Sequence, residues 1–551
     1  MSHPTIKLIE KYLQDLLSHL ARSDRVAKVS EQFSALRSNT ERVQFVHALI
    51  EGANLFPALV EDFKNDAEAV ALRQKGNEMF KTKNNEAALE LYTKSIANAE
   101  KNSESLAVAY ANRSAVLMEE GYFKECLEDI KNALCNGYPS KLKPKLDARK
   151  EKCQQLVQSQ KATPYHQNIP CIPEEIRNKH IACATNSVEI KDNDDLGRHI
   201  VATKDIQLGE VIAVEKPFCH ILVGKTSSHC RECLRLCYNL ISCQNCTEAL
   251  YCSKNCKEKA NSYHKYECKL LKTFTLLGMD KMKMLPWKIV VIIRDMYDKI
   301  RNKDFVEDGI YRSGRYEEIH NLVGNDEKRP VSDMFGRCVT AAIIYHLMKQ
   351  TSFFTSEDDE EMFQNLLLKH LQTAPCNFHQ IFEMVEAEET VEIGAGAYSF
   401  LSMFNHSCSP NVVRHCYGTV NVLRAIRTIQ AGEQLFDNYG YHHAVEPRES
   451  RRSSLRKQYF FDCSCEACEQ DWPLYPDLPD LGVVALDCLD LERLRNGDIG
   501  YAQEIVGDVL EAARKMEHPQ PNKQFAELQE AAKQCFALIG NVRRKNNHLL
   551  K

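Results

Sequence analysis

The sequence predicts a multidomain α+β protein, helical at both ends, with a β-rich unit split by a cysteine block and helices. Three observations carry this. The chain has 551 residues, too many for one ordinary core, so about three to five domains are expected. An apolar pattern recurs at an offset of 38 residues within 69–155. Short β-like runs lie on both sides of a segment holding eight of the 23 cysteines.

Hydrophobic residues make up 44% and charged residues 27%, which excludes collagen-like, mucin-like and largely disordered chains. Acidic residues outnumber basic ones by 76 to 71, for a formal charge of -5. That balance argues against broad nucleic-acid binding. There is no signal-peptide core, no run of 18 apolar residues and no C-terminal lipidation box. The expected location is the cytoplasm and nucleus, away from membranes. In a reducing compartment clustered cysteines point to metal rather than disulfides.

Residues 1–67 read as a helical segment, with Leu8, Tyr12, Leu13, Leu16, Leu17 and Leu20 at helical spacing. Packing accounts for it, and no function is assigned. In 68–157, Gly76, Ala88, Tyr92 and Ser95 recur as Ser114, Cys126, Ile130 and Ala133. Each run reads as helix-turn-helix: a small residue at a helix crossing, then an apolar face. A partial third copy spans 138–154. Residues 158–175 carry Pro164, Pro170 and Pro173 and read as a linker.

Strand-like runs follow at 198–202 and 211–215, separated by Leu208-Gly209. Helical patterns fill 269–372. Strand texture returns at 412–417, 420–425 and 434–439, with turns at Gly418 and Ala431-Gly432. From Val484 onward the pattern is helical again.

The cysteine block offers Cys230, Cys233, Cys243, Cys246, Cys252, Cys256, His264 and Cys268. They stand as four pairs. Cys-x2-Cys hairpins, and cysteines or histidines four apart on a helix, each set two ligands on one ion. Eight ligands make two zinc sites, with the first pair joining the third and the second the fourth. Cys237 is left free. With Tyr251-Cys252-Ser253 and Glu267-Cys268, the block resembles a MYND finger, a module whose zinc is structural and which takes peptide ligands.

Asn405-His406-Ser407-Cys408-Ser409-Pro410-Asn411 follows the apolar Phe400-Leu401-Ser402-Met403-Phe404. Polar residues this dense are poor core material. Asn438-Tyr439-Gly440 comes later, then Tyr459-Phe460-Phe461-Asp462-Cys463-Ser464-Cys465-Glu466-Ala467-Cys468. Together with Leu196-Gly197-Arg198, these resemble a SET-domain lysine methyltransferase. A SET domain interrupted by a MYND finger resembles the SET and MYND family, and the repeats at 68–157 resemble tetratricopeptide (TPR) repeats.

The resemblance implies this order: 1–67 helical; 68–157 TPR-like; 158–175 linker; 176–229 first SET part; 230–268 MYND; 269–372 helical insertion; 373–445 SET core; 446–470 post-SET; 471–551 C-terminal helices. It implies small curled β-sheets and transfer of a methyl group from S-adenosyl-L-methionine to protein lysines, histone or non-histone. Such a displacement needs positioning and a neutral amine. A narrow aromatic channel desolvates the lysine and tolerates the cation.

By the same resemblance, Tyr439 sets a hydroxyl beside the methyl and Tyr459 lines the lysine channel. Leu196, Gly197, Arg198, Tyr345, Asn377, Ser402, Asn405 and His406 contact the cofactor, and Phe461 stacks on its adenine. Gly197 lets the backbone approach closely. His199 stands where the family usually has a second glycine, which is expected to crowd the loop. Cys408 joins Cys463, Cys465 and Cys468 around a third zinc.

On the repeats, Arg73, Asn77, Asn112, Lys145 and Arg149 resemble the carboxylate clamp that grips heat-shock chaperone tails. The other reading is a catalytically weak or inactive scaffold or chaperone adaptor. Arg451-Arg452 with Arg456-Lys457, and Arg543-Arg544-Lys545, read as solvated helix faces or as nuclear signals.

Overall fold

The computed structural model describes residues 6–159, 169–306, 308–385, 390–540 and 542–543. Half of the linker expected at 158–175, residues 160–168 with Pro164 included, and Arg544 and Lys545 lie outside the described residues.

Three helices open the chain: Ile9–Arg22, Val26–Ala35 and Asn39–Gly52. Ser38 and Glu41 close a capping box at the third. Tyr12, Leu16 and Leu20 are buried, whereas Leu8 and Leu17 stay exposed. These helices pack against Val331–Met348 and Glu357–Asn377 and share one apolar core with them and with the cysteine block. The opening segment is thus a wall of the central body.

Five helices follow: Asp66–Lys81, Asn85–Asn98, Glu104–Glu119, Phe123–Cys135 and Lys143–Ser159. Asn65, Asn84 and Ser103 cap the first three. All eight residues of the repeat pattern are buried. Gly76 is small because its helix crosses the next one closely: a Cβ there would meet Tyr92 Cε1 at 2.7 Å.

The array is seated on the cysteine block through a buried ion pair. Arg113 and Asp129 are fully buried, with Arg113 Nε 2.7 Å from Asp129. The same guanidinium donates to the Leu240 carbonyl at 3.0 Å. Tyr122 packs on Tyr238 with ring centroids 4.8 Å apart.

The β-structure is a set of small sheets. Val188–Asn193 pairs with Gly197–Ala202. Val420–Ala425 lies between Val412–Tyr417 and Val211–Glu215, all antiparallel. Thr390–Ala397 lies between Phe378–Val385 and Cys219–Leu222, and Val542–Arg543 adds a parallel edge. Gly394 and Gly396 let this sheet close, since a Cβ at Gly394 would strike the Ile221 carbonyl. Of the run expected at 434–439, only Phe436–Asp437 is a strand, and it pairs in parallel with Asn405–His406.

At the end, Ile499–Met516 and Lys523–Gly540 form a helical hairpin. It covers Val412–Tyr417, where His415 stacks on Phe536 at 5.4 Å. Among the described residues no helix is long and apolar enough to cross a membrane.

Candidate active site

The polar string is delivered by an apolar anchor. Phe400, Leu401, Met403 and Phe404 are buried and form a short 3-10 turn at Leu401–Met403. The chain then leaves the core and pairs Asn405 with Phe436 and His406 with Asp437. Ser407 N–H donates to the Asp437 carbonyl at 2.9 Å. This pairing sets Tyr439, two residues past the strand, against His406.

Tyr439 is held at both ends. Its N–H donates to His406 Nδ1 at 3.0 Å, and its hydroxyl donates to the Phe404 carbonyl at 2.7 Å. Its ring lies 4.7 Å from that of Tyr459, inclined by 38°. Tyr459 ends the helix Arg448–Tyr459. Phe460 then adopts a left-handed φ of 62°, turning the chain so that Phe461 comes 6.2 Å from His406.

The opening motif joins the same place. Asn405 Nδ2 donates to the Leu196 carbonyl at 3.1 Å. Gly197 has a φ of +61° and nothing within 4 Å of a built Cβ, so the turn itself requires glycine. Arg198 reaches away to the Asn321 carbonyl at 2.6 Å. His199 is buried, with Nδ1 2.8 Å from the Gly197 carbonyl. Its ring is folded back on its own strand.

Asn377, at the end of its helix, donates to the Val323 and Thr373 carbonyls at 2.8 and 2.7 Å. Its own carbonyl is 2.8 Å from the Ser402 hydroxyl. Tyr345 lies elsewhere. Its hydroxyl donates to Glu360, and its ring packs 5.3 Å from His47 and 5.7 Å from Phe354. Its helix shares an apolar face with the opening helices, which holds Tyr345 away from the Asn405 cluster.

Burial pushes the Tyr439 hydroxyl well above the ordinary phenol range and Tyr459 up to about 12. Both phenols are neutral in ordinary buffers. Burial also brings His406 down to about 4, leaving Nδ1 free to accept. Behind Tyr439, buried Asp437 is paired with Arg414. Neither residue stands out in the sequence, where the signal is a lone aspartate beside Asn438-Tyr439.

Three groups have the donor sets of metal centres: Cys230, Cys233, Cys252 and Cys256; Cys243, Cys246, His264 and Cys268; and Cys408, Cys463, Cys465 and Cys468. Within each group the ligand atoms lie within 4.8 Å of one another. Tetrahedral thiolates at about 2.3 Å from zinc stand about 3.8 Å apart. Cys233–Cys252, Cys243–Cys268 and Cys408–Cys468 sulfurs are 3.6, 3.8 and 3.6 Å apart. Cys237 belongs to none, its thiol lying 3.1 Å from Asn239.

The surroundings fit as well. His264 turns Nε2 to the thiols because Nδ1 is 2.9 Å from fully buried Glu267. Arg231 clamps that carboxylate with bonds of 3.0 and 2.9 Å. Four thiolates on a divalent ion leave excess negative charge. Cations meet it: Arg235 lies 3.5 Å from Cys252, and buried Arg451 lies 3.8 Å from Cys468. Cys408 N–H also donates to Cys465 at 3.3 Å, tying the tail across the polar string.

The five clamp candidates do not all point outward. Asn77 Oδ1 accepts from Tyr92 and from Asn112, each at 2.8 Å. Arg149 donates to the Ala111 carbonyl at 2.6 Å and to Ser114 at 2.7 Å. The side chains of Arg73 and Lys145 make no hydrogen bond or ion pair among the described residues.

A family model described as SET domain matches residues 197–440. Protein-lysine N-methyltransferase SMYD4 from Danio rerio is 26% identical over 558 aligned positions, covering 83% of this chain and 74% of that protein. The Homo sapiens SMYD4 is 25% identical over 536, covering 72% of this chain and 66% of that protein. Histone-lysine N-methyltransferase SMYD3 from Homo sapiens is 27% identical over 279, covering 50% and 59%.

Proposed function

We propose that this chain, a SET-domain protein similar to SMYD4, transfers methyl groups from S-adenosyl-L-methionine to lysine side chains of proteins. One observation carries the reading. The parallel pairing of Asn405–His406 with Phe436–Asp437 gathers Tyr439, Tyr459, Phe461 and Leu196 around a single strand end.

S-adenosylmethionine, when bound, supplies an activated methyl on a sulfonium. The chain's work is to place an amine in line with it and strip water from that amine. Leu196, Gly197, Asn377, Asn405 and His406 would hold the cofactor, and Phe461 would offer a ring for its base. The paired rings of Tyr439 and Tyr459 make an apolar wall for an aliphatic lysine stem. Their neutral hydroxyls stabilise the charge without competing for its proton.

The three cysteine-rich groups hold three zinc ions, two of them in a MYND finger at 230–268 and one in a post-SET site. The helices of 68–157 form a TPR array that recruits protein partners, chaperone tails among them. The protein works in the cytoplasm and nucleus.

The test is transfer of radiolabelled methyl from S-adenosylmethionine to a proteome extract by the intact protein. Label should appear in lysines and vanish with Tyr439→Phe. Cofactor binding without any labelled protein, under conditions where the zinc is retained, would instead favour a scaffold.

A further inference from the structure

Glu215 ends the strand Val211–Glu215 and is followed by Lys216-Pro217. A charged residue at a strand end is ordinarily solvated, yet Glu215 is fully buried. No lysine, arginine or histidine forms an ion pair with it among the described residues. An unpaired buried carboxylate is costly, and an apolar residue of similar size would cost less.

Its partners are two consecutive amides. Phe400 N–H donates to Oε1 and Leu401 N–H to Oε2, each at 2.9 Å. Beside them, Tyr311 donates to Ser399 at 2.6 Å. The two amides open the turn Leu401–Met403. At the turn's far side the Phe404 carbonyl accepts the Tyr439 hydroxyl, and Asn405 reaches Leu196. A continuous chain of bonds thus runs from Glu215 to the hydroxyl of Tyr439.

We infer that Glu215 is a positioning residue: its carboxylate pins the 400–404 turn so that the Phe404 carbonyl aims the Tyr439 hydroxyl and Asn405 faces the cofactor space. This rests on the methyltransferase reading above. A carboxyl suits the task because each of its two oxygens can accept from one of two adjacent N–H groups, and the hydroxyl oxygen of the protonated acid keeps that capacity. Glutamine has the same shape but sets an NH2 donor against one of them.

The test uses the full zinc-loaded chain and Glu215→Gln, with Tyr439→Phe and the double variant. Glu215→Gln should fold and keep its zinc. Amide hydrogen exchange should quicken about tenfold or more at Phe400–Asn405 and not in the distant helical array. Turnover should fall about tenfold with the KM of a peptide substrate nearly unchanged. In the Tyr439→Phe background the same change should cost little further activity, because Glu215 acts through that hydroxyl. Unchanged exchange at Phe400 and Leu401 would overturn the anchor, and fully additive losses would overturn its action on Tyr439. If the wild-type chain neither binds S-adenosylhomocysteine nor transfers methyl, the enzyme reading fails, while the exchange arm still decides whether Glu215 pins the turn.

Discussion

His406 and Tyr439 are joined by a bond from backbone to side chain: Tyr439 N–H donates to His406 Nδ1 at 3.0 Å. The rings lie 5.2 Å apart. A residue of the polar string therefore fixes the main chain of the tyrosine, while Phe404 fixes its hydroxyl. Both bonds are made by the protein itself and hold the tyrosine at its two ends, the kind of fixed placement from which catalytic hydrogen-bonding groups gain most.

Tyr439→Phe removes one hydroxyl and leaves its ring against Tyr459. Methyl transfer should fall about a hundredfold or more, while S-adenosylhomocysteine affinity stays near wild type. Steady-state kinetics with calorimetry separates the two. Near-normal turnover would take Tyr439 out of the mechanism.

Cys408 links the polar string to the tail. Zinc at Cys408, Cys463, Cys465 and Cys468 should hold Tyr459 and Phe461 in place. Elemental analysis should give three zinc ions per chain, one for each cysteine-rich group. Cys408→Ser should lower the count to two and remove activity while the 230–268 block keeps its metal. An unchanged count in Cys408→Ser would show that the fourth ligand lies elsewhere.

Glu267 orients His264 through Nδ1 and is itself clamped by Arg231. Glu267→Gln should weaken zinc at the Cys243, Cys246, His264 and Cys268 site about ten- to a hundredfold. A chelator competition that resolves the ions would show one site released early. Equal release of both sites of the block would mean that the carboxylate is idle.

Burial raises Glu215 from 4.5 to about 8. Between those values the folded chain holds a proton that the unfolded chain has released. The contribution of this group to stability is therefore fully present below pH 4.5 and is lost as pH rises through about 8. Urea unfolding of wild type should lose stability between pH 6 and pH 9, both chosen as roughly bracketing that value. Glu215→Gln should flatten that slope. A slope identical in the two proteins would assign the pH dependence to other groups.

How much of this could be read from residues alone varies by place. The two groups within 230–268 were legible because their ligand spacing is local and zinc restricts it, and the interleaved pairing is the one found, whereas Cys408, 55 residues before Cys463, was reached only through the family resemblance. The repeat at 76–133 was legible because helix crossings demand small residues at fixed intervals. Glu215 was not, since nothing nearby in sequence marks a carboxylate that serves amides 185 residues away. The hairpin of Phe378–Val385 and Thr390–Ala397 was hidden by its glycines and alanines, which suit close sheet packing but lack β-branched bulk. Tyr345 was misplaced because its helix turns it to the opening segment, a contact nearly 300 residues away in sequence.

The helical array makes the last prediction. A carboxylate clamp needs free donors, and Arg149 has already spent one end of its guanidinium on Ala111 and Ser114. Those bonds tie Lys143–Ser159 to Glu104–Glu119. Arg149→Ala should therefore lower the melting temperature of the protein, by the loss of bonds from a charged donor worth about 1.5–3 kcal/mol each. Lys145 is exposed and makes no such bond, so Lys145→Ala should leave melting unchanged. Asn77 and Asn112 are bonded to each other, so a peptide carboxylate would have to displace that bond or rely on Arg73 and Lys145. A tail peptide ending in Glu-Glu-Val-Asp, titrated by calorimetry, separates the cases. Binding that weakens with salt, with Lys145→Ala and with amidation of the terminal carboxylate would establish a clamp built on those two cations. Binding indifferent to amidation would mean that the array grips a partner by other contacts, with Arg149 serving as a brace between its helices.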